Sequence, residues 1–262
     1  MTVNELKIIG MLESLSRDNA VIGVKAEFET EGTRIEELRR LKEIAFRSGV
    51  SLTLKIGGAS SVRDLCDARS VGVDKIVAPM VETTAALKRY LSNVAACFPE
   101  DERAVMRFLI NMETITCAKN FSRMIDETSS EIFRGIVVGR TDLTGSMGLS
   151  ADDVNSKEIY DITHNVALLA KSKGLDVVVG GKVTAKSVDF LKSLVDENVL
   201  DRFETRKVVF DARRALEGDL AEGIRHALEF ELEWMKLKRE YYHRIADEDS
   251  ARIADLEKRM GM

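Results

Sequence analysis

Apolar residues along the chain gather into short runs rich in valine, isoleucine and leucine: 20–29 (AVIGVKAEFE), 51–56 (SLTLKI), 74–80 (DKIVAPM), 105–113 (VMRFLINME), 134–139 (RGIVVG), 175–180 (LDVVVG) and 202–210 (RFETRKVVF). Several alternate apolar with polar positions, the period of a strand whose two faces differ. Between them the apolar positions recur every three to four residues, as in TRIEELRRLKEIAFRSG (33–49) and SSVRDLCDARSVG (60–72), with Gly49 and Gly72 where helix C-caps fall. Strand followed by helix, repeated, predicts a parallel sheet. No GxGxxG follows the first strand, and the length suits a closed barrel better than an open doubly wound sheet. The expected fold is therefore α/β, a (β/α)8 TIM barrel. Seven strands are legible; the eighth is expected at the weak apolar stretch Lys7–Met11 or within 182–200.

Residues 217–262 continue past the last strand as a long helix, giving a barrel domain over 1–216 and a C-terminal helical extension. Ile224, Leu228, Trp234, Tyr241, Ile245, Ile253, Leu256 and Met260 recur at roughly helical spacing there. A stripe of that length has to be covered, so a homo-oligomer contact is expected, with docking on the chain's own barrel as the alternative.

Composition narrows the functions. With 39 basic against 44 acidic residues, a net charge of −5 and a pI near 5.5, there is no global field for nucleic acid or an anionic membrane. No run approaches the ~20 apolar residues of a membrane span, and the N-terminus lacks a secretory h-region. A cytoplasmic protein with a small-molecule partner is expected. Cys66, Cys97 and Cys117 form neither a CxxC nor a metal-ligand pattern and read as packing residues. His164, His226 and His243 fall on predicted helices and read the same way.

Active sites of such barrels form at the C-terminal ends of the strands. In the first strand Ile22, Val24, Ala26 and Phe28 take one face, which turns Lys25, Glu27 and Glu29 inward; the second turns Lys55 inward, and the fourth Arg107, Asn111 and Glu113. The seventh run carries Glu204, Thr205, Arg206 and Lys207. Charges inside a barrel are costly unless paired or solvated, so their recurrence points to a polar site. Glu113 closes one strand and Asp142 lies in the glycine-rich GRTDLTGSMG segment after the next. Two carboxylates from adjacent strands, completed by water, suit an oxygen-seeking octahedral cation, Mg²⁺ or Mn²⁺.

The stretches LTLKIGGASSVRDLCDARSVGVDKIVAPMVET, INMETITCAKN and GIVVGRTDLTGSMGL, within roughly residues 20–210, make the chain resemble the HpcH/HpaI aldolase and citrate lyase β-subunit family of phosphoenolpyruvate/pyruvate-binding barrels. The resemblance implies that Glu113 and Asp142 hold a divalent metal that chelates a 2-keto acid, in enzymes that cleave or form a carbon–carbon bond next to pyruvate or an acyl thioester. Two departures are visible. Lys55 stands where the family has an arginine, keeping the charge but not the bidentate fork. The family's histidine base has no counterpart in KAEFETEG.

The expected activity is a metal-dependent carbon–carbon lyase acting on a 2-keto acid or acidic sugar-derived substrate. Lys55, Glu27 and Glu29 are the candidate catalytic residues; Lys25, Asn111, Arg140 and Arg206 are candidates for substrate contact. The alternatives are an acyl thioester lyase, a Schiff-base aldolase using Lys55 or Lys25, and a non-catalytic ligand-binding barrel.

Overall fold

The computed structural model describes residues 2–128 and 131–261. Eight strands close a barrel in sequence order: β1 (Val21–Glu27), β2 (Ser51–Lys55), β3 (Lys75–Ala78), β4 (Arg107–Met112), β5 (Phe133–Gly139), β6 (Asp176–Gly180), β7 (Arg202–Glu204) and β8 (Val208–Asp211). Strands β1 to β7 run parallel, whereas β8 is antiparallel to both β7 and β1.

The eighth strand is therefore in neither place expected from the sequence. Lys7–Met11 belongs to helix α1 (Val3–Asp18), and the region 182–200 holds a short 3₁₀ turn (Ala185–Ser187) and a helix over Val188–Asp196. The run 202–210 contains two strands, folded into a hairpin over Thr205, Arg206 and Lys207. Thr205 closes it, donating its N–H to Val208 O at 2.9 Å and accepting the Val208 N–H on its hydroxyl at 3.2 Å.

The outer layer comprises α2 (Ile35–Arg47), α3 (Val62–Val71), α4 (Thr84–Cys97), α5 (Glu100–Val105), α6 (Ile115–Asp126), α7 (Arg140–Ser146), α8 (Lys157–Ser172), α9 (Val188–Asp196), α10 (Ala212–Ala215) and α11 (Leu220–Met260). Side-chain caps fix several starts: Thr2 and Glu5 form a capping box on α1, while Thr83, Thr114, Ser156 and Asp219 accept first-turn N–H groups of α4, α6, α8 and α11. A hairpin connection supplies no long crossover helix between β7 and β8. Helix α1 helps complete the ring, lying against α2, α11 and β1.

The main core lies between strands and helices, and a second, smaller one lies inside the barrel. There Val77, Leu109, Val137 and Val178 form a separate buried cluster across the lumen. Period-two alternation then sorts every interior charge to one side of that layer or the other.

Because β8 reverses the chain, α11 starts at the end of the barrel opposite the catalytic mouth and climbs back along the wall. Leu220, Ile224, Ala227, Phe230, Trp234 and Leu237 bury on the chain's own barrel, and Lys7–Glu233 (2.6 Å) and Lys238–Glu37 (2.9 Å) flank the seam. Tyr241 and Tyr242 end this contact, with the guanidinium groups of Arg40 and Arg34 each 4.3 Å from their ring centroids. From His243 to Gly261 the helix is exposed. The stripe read from the sequence is thus divided between a docked half and a free half. No helix among the described residues is long and apolar enough to cross a membrane.

Candidate active site

A cavity of about 500 Å³ opens at the C-terminal ends of the strands. Lys25, Glu27, Lys55, Asn111, Glu113, Asp142 and Arg206 all line it. Alternation brings the β1, β2 and β4 side chains inward, with Glu27 level with Lys55 across the β1–β2 ladder.

Glu113 is 2% exposed and engaged by three donors: Oε1 accepts the Met80 N–H at 2.9 Å, and Oε2 accepts Asn111 Nδ2 at 2.6 Å and Lys55 Nζ at 3.3 Å, which leaves Oε1 room for a further partner. Met80 reaches it from a left-handed backbone, φ 53°, unusual for a side chain of this size. Gly139 leaves room beside it, since a Cβ there would lie 2.9 Å from the Glu113 Cβ.

Asp142, in the first turn of α7, has no hydrogen-bond or ion-pair partner among the described residues. Burial and then the charge of Glu113 raise its carboxyl above the usual aspartate range. In the wall of the same cavity the Asn111 Oδ1 is buried without a partner among the described residues.

Lys55 is 2.6 Å from Glu29 Oε2 as well as 3.3 Å from Glu113. Lys25 lies between Glu204 Oε1 at 2.5 Å and Glu27 Oε1 at 3.0 Å. Burial alone would push both ammonium groups down, but for Lys25 the charges of Glu204 and Glu27, and for Lys55 those of Glu113 and Glu29, raise them above the ordinary lysine value. Both lysines are thus held protonated, the wrong state for attack on a carbonyl. Glu27 shows the reciprocal effect: burial pushes its carboxyl up, Lys25 pulls it down further, and the net shift is downward.

Arg140 departs from expectation. It is fully buried and absent from the cavity wall. Its five N–H groups are all spent inside the protein: Nε on Gly180 O (3.0 Å), Nη1 on Asn155 Oδ1 (2.6 Å) and Val154 O (3.4 Å), Nη2 on Gly181 O (3.0 Å) and Ser187 Oγ (3.4 Å). Arg140 follows the inward-facing Gly139, so the strand alternation itself turns it outward, under the β6 loop. Arg206 sits half-exposed at the rim, 3.1 Å from Glu31.

Other wall residues have no role assigned from the sequence. Glu204 and Thr205 were visible in the polar seventh run, while Thr141 and Thr184 add hydroxyls that the strand pattern does not point to. Leu228 and Glu231 arrive from α11, for which only the barrel's reversed last strand provides a reason. Burial raises the Glu231 carboxyl above its ordinary value.

The HpcH/HpaI aldolase/citrate lyase family model matches residues 33–190. No curated protein sequence matches the chain. Among solved structures it is similar to an HpcH/HpaI aldolase from Desulfitobacterium hafniense, with a TM-score of 0.61 and 12% identity over 78% of this chain and 82% of that one. It is also similar to the citrate synthase SbnG, with a TM-score of 0.59 and 14% identity over 88% and 90%. An HpcH/HpaI aldolase/citrate lyase family protein from Burkholderia cenocepacia gives 0.59 and 14% over 84% and 89%. At these identities the likeness establishes the fold. With that model matched over three-fifths of its length, the chain belongs to the HpcH/HpaI aldolase/citrate lyase family, enzymes of carbon–carbon bond chemistry.

Proposed function

We propose that the protein is a metal-dependent carbon–carbon lyase of the aldolase type, taking a 2-keto acid or an acidic sugar-derived substrate that contains one. The observation that carries this reading is the contrast between its two carboxylates. Glu113 is held rigid by three donors, while Asp142 offers an unpartnered carboxylate to the same cavity, whose wall also holds the orphaned Asn111 carbonyl. Oxygen donors of this kind fit a hard cation that keeps several waters, and Glu113 and Asp142 would hold Mg²⁺ or Mn²⁺. Such an ion supplies Lewis acidity at a keto oxygen and offsets the negative charge that develops there.

The remaining work falls to the chain's own groups. Lys55 presents its ammonium to the substrate carboxylate, Asn111 its amide, and Arg206 a guanidinium at the rim. Lys25 keeps Glu27 ionised and fixed. In the cleavage direction Glu27 or Glu29 accepts the hydroxyl proton of the carbon that leaves as an aldehyde. The carbon–carbon bond breaks, its electron pair passes to the keto-acid fragment, and the proton returns to that fragment's carbon. Glu29, paired with Lys55 and partly exposed, can exchange its proton with solvent.

A small-molecule substrate, a cytoplasmic setting and a homo-oligomer joined through the free half of α11 complete the reading. The test is cleavage of a 4-hydroxy-2-keto acid. EDTA should abolish pyruvate release, Mg²⁺ or Mn²⁺ should restore it, and borohydride with pyruvate should leave the enzyme active. Cleavage that survives EDTA and is lost to borohydride trapping would replace this reading with the Schiff-base mechanism.

A further inference from the structure

Below the Val77–Leu109–Val137–Val178 layer the lumen is polar again, with a charge balance unlike that of the catalytic mouth. Alternation places Lys75 two residues below Val77, Arg107 below Leu109, Asp176 below Val178 and Arg202 below Glu204, with Ser51 at the foot of β2. The β3–β4 register sets Lys75 directly beside Arg107. Among the described residues three cations thus converge on the N-terminal end of the barrel with two carboxylates on the same face of the strands, Asp176 and Asp211, the latter paired with Arg202 across the β7–β8 ladder.

Both are already used: Asp176 Oδ2 lies 2.7 Å from Arg202 Nη2, and Asp211 caps α10 by accepting the Arg214 N–H at 3.0 Å. Asp74, next to Lys75 in the chain, takes Lys42 at 2.8 Å and the Leu52 N–H at 2.7 Å. What remains for Lys75 is the Ser51 hydroxyl at 2.6 Å, and for Arg107 the carbonyl of its own neighbour Met106 at 3.2 Å. Among the described residues neither cation has a carboxylate within ion-pair distance.

Side-by-side cations in a partly buried mouth, each satisfied only by a neutral oxygen, form an arrangement that an anion stabilises and water serves poorly. Burial, then the charge of Arg202, lower the Lys75 ammonium to about 8. An anion would act against both effects.

We propose that the N-terminal mouth of the barrel is a binding site for a small multivalent oxyanion, phosphate or a molecule presenting a phosphoryl group, held by Lys75 and Arg107 with Arg202 and the Ser51 hydroxyl at its edge. It lies across the apolar layer from the catalytic cavity and is independent of the chemistry proposed there. Arg107 supplies the fork that matches two phosphate oxygens, and Lys75 a point charge.

The test is calorimetric titration of the full-length, metal-free protein with inorganic phosphate, and separately with glycerol phosphate, at constant ionic strength. Lys75→Met and Arg107→Gln are compared with wild type, and Lys55→Met controls for the cations of the catalytic mouth. One phosphate per chain is expected in wild type and in Lys55→Met, with affinity falling about tenfold or more in Lys75→Met and in Arg107→Gln, the scale for a lost charge-assisted contact. Binding of glycerol phosphate with the same pattern would identify a phosphoryl site open to larger molecules; binding of inorganic phosphate alone would confine it to the free ion. If Lys75→Met does not fold, Arg107→Gln carries the comparison, together with protection of Lys75 from acetic anhydride by phosphate, read by mass spectrometry. Absence of binding in wild type, binding in both lower-mouth variants as tight as in wild type, or loss only in Lys55→Met would overturn the proposal.

Discussion

Lys25 and Arg140 are both buried cations, and they are stabilised in opposite ways. Lys25 is held by two carboxylates, Arg140 by neutral oxygens and by the Phe190 ring, 4.6 Å from its guanidinium carbon. Burial lowers Arg140 to about 10, yet each N–H has an acceptor, so the side chain ties α7 to the β6 loop. Arg140→Lys keeps a charge but loses the fork, leaving buried carbonyls unsatisfied. It should destabilise the fold by about 3 kcal/mol or more, measurable by urea unfolding, with KM unchanged in the folded fraction. A large rise in KM at unchanged stability would restore Arg140 to the substrate. The Lys25–Glu27 pair sets a pH window. Glu27 titrates below its ordinary 4.5 when folded, so its stabilisation is complete above that value and is lost as pH falls through the lowered one. Lys25, raised above 10.5, contributes fully below that value and loses its contribution as pH climbs through the raised one. Between pH 5 and 3, Tm should fall less in Glu27→Gln than in wild type; equal falls would show that Glu27 does not carry the acid dependence. Alternation along the strands made Lys25, Glu27, Lys55, Asn111 and Glu113 legible as inward residues. The same rule, carried one residue beyond Gly139, turns Arg140 outward; its charge and its neighbour Asp142 had suggested otherwise.

The β7–β8 hairpin is the element that most changes the barrel. The run 202–210 reads as one strand because its turn, Thr205-Arg206-Lys207, contains no glycine, proline or asparagine to mark it. The turn is held by the Thr205 hydroxyl and by Glu31, which pairs with both Arg206 and Lys207. Reversal of the last strand leaves the ring of helices one crossover short, and α1, whose apolar stretch resembled a strand, packs there. The β6 loop depends on Gly181 at φ +82°, where a Cβ would lie 2.5 Å from the Thr141 nitrogen and 2.7 Å from that of Arg140. Both the torsion and the space exclude other residues. Gly181→Ala should therefore displace the loop from the start of α7, lowering Tm by several degrees and weakening metal binding at Asp142 together. Unchanged stability and metal affinity would mean that loop and helix are not coupled as described.

Over the whole molecule, α11 is the feature the sequence located without resolving its use. Its apolar spacing was plain, but spacing does not tell which neighbour covers it. The first half closes the barrel and lends Leu228 and Glu231 to the cavity wall. The second projects about 27 Å past the Tyr241–Tyr242 anchor, with Ile245, Ile253, Leu256 and Met260 exposed. Truncation after Tyr242 leaves the docked half intact, so it should reduce the mass found by sedimentation at micromolar concentration while barely moving the far-UV spectrum per residue. A full-length protein that sediments as a monomer would remove the oligomer from the account. If the two carboxylates at the barrel mouth hold a catalytic metal, the protein enolises pyruvate, a reaction that needs no aldehyde partner. The measurement is loss of the pyruvate methyl proton signal in D₂O, followed by NMR with the full-length enzyme. Exchange should require Mg²⁺ or Mn²⁺, stop on addition of EDTA, and slow by on the order of 10²-fold or more in Glu113→Gln of native fold. Exchange that continues at the wild-type rate in EDTA, or in Glu113→Gln, would mean that these carboxylates hold no catalytic metal.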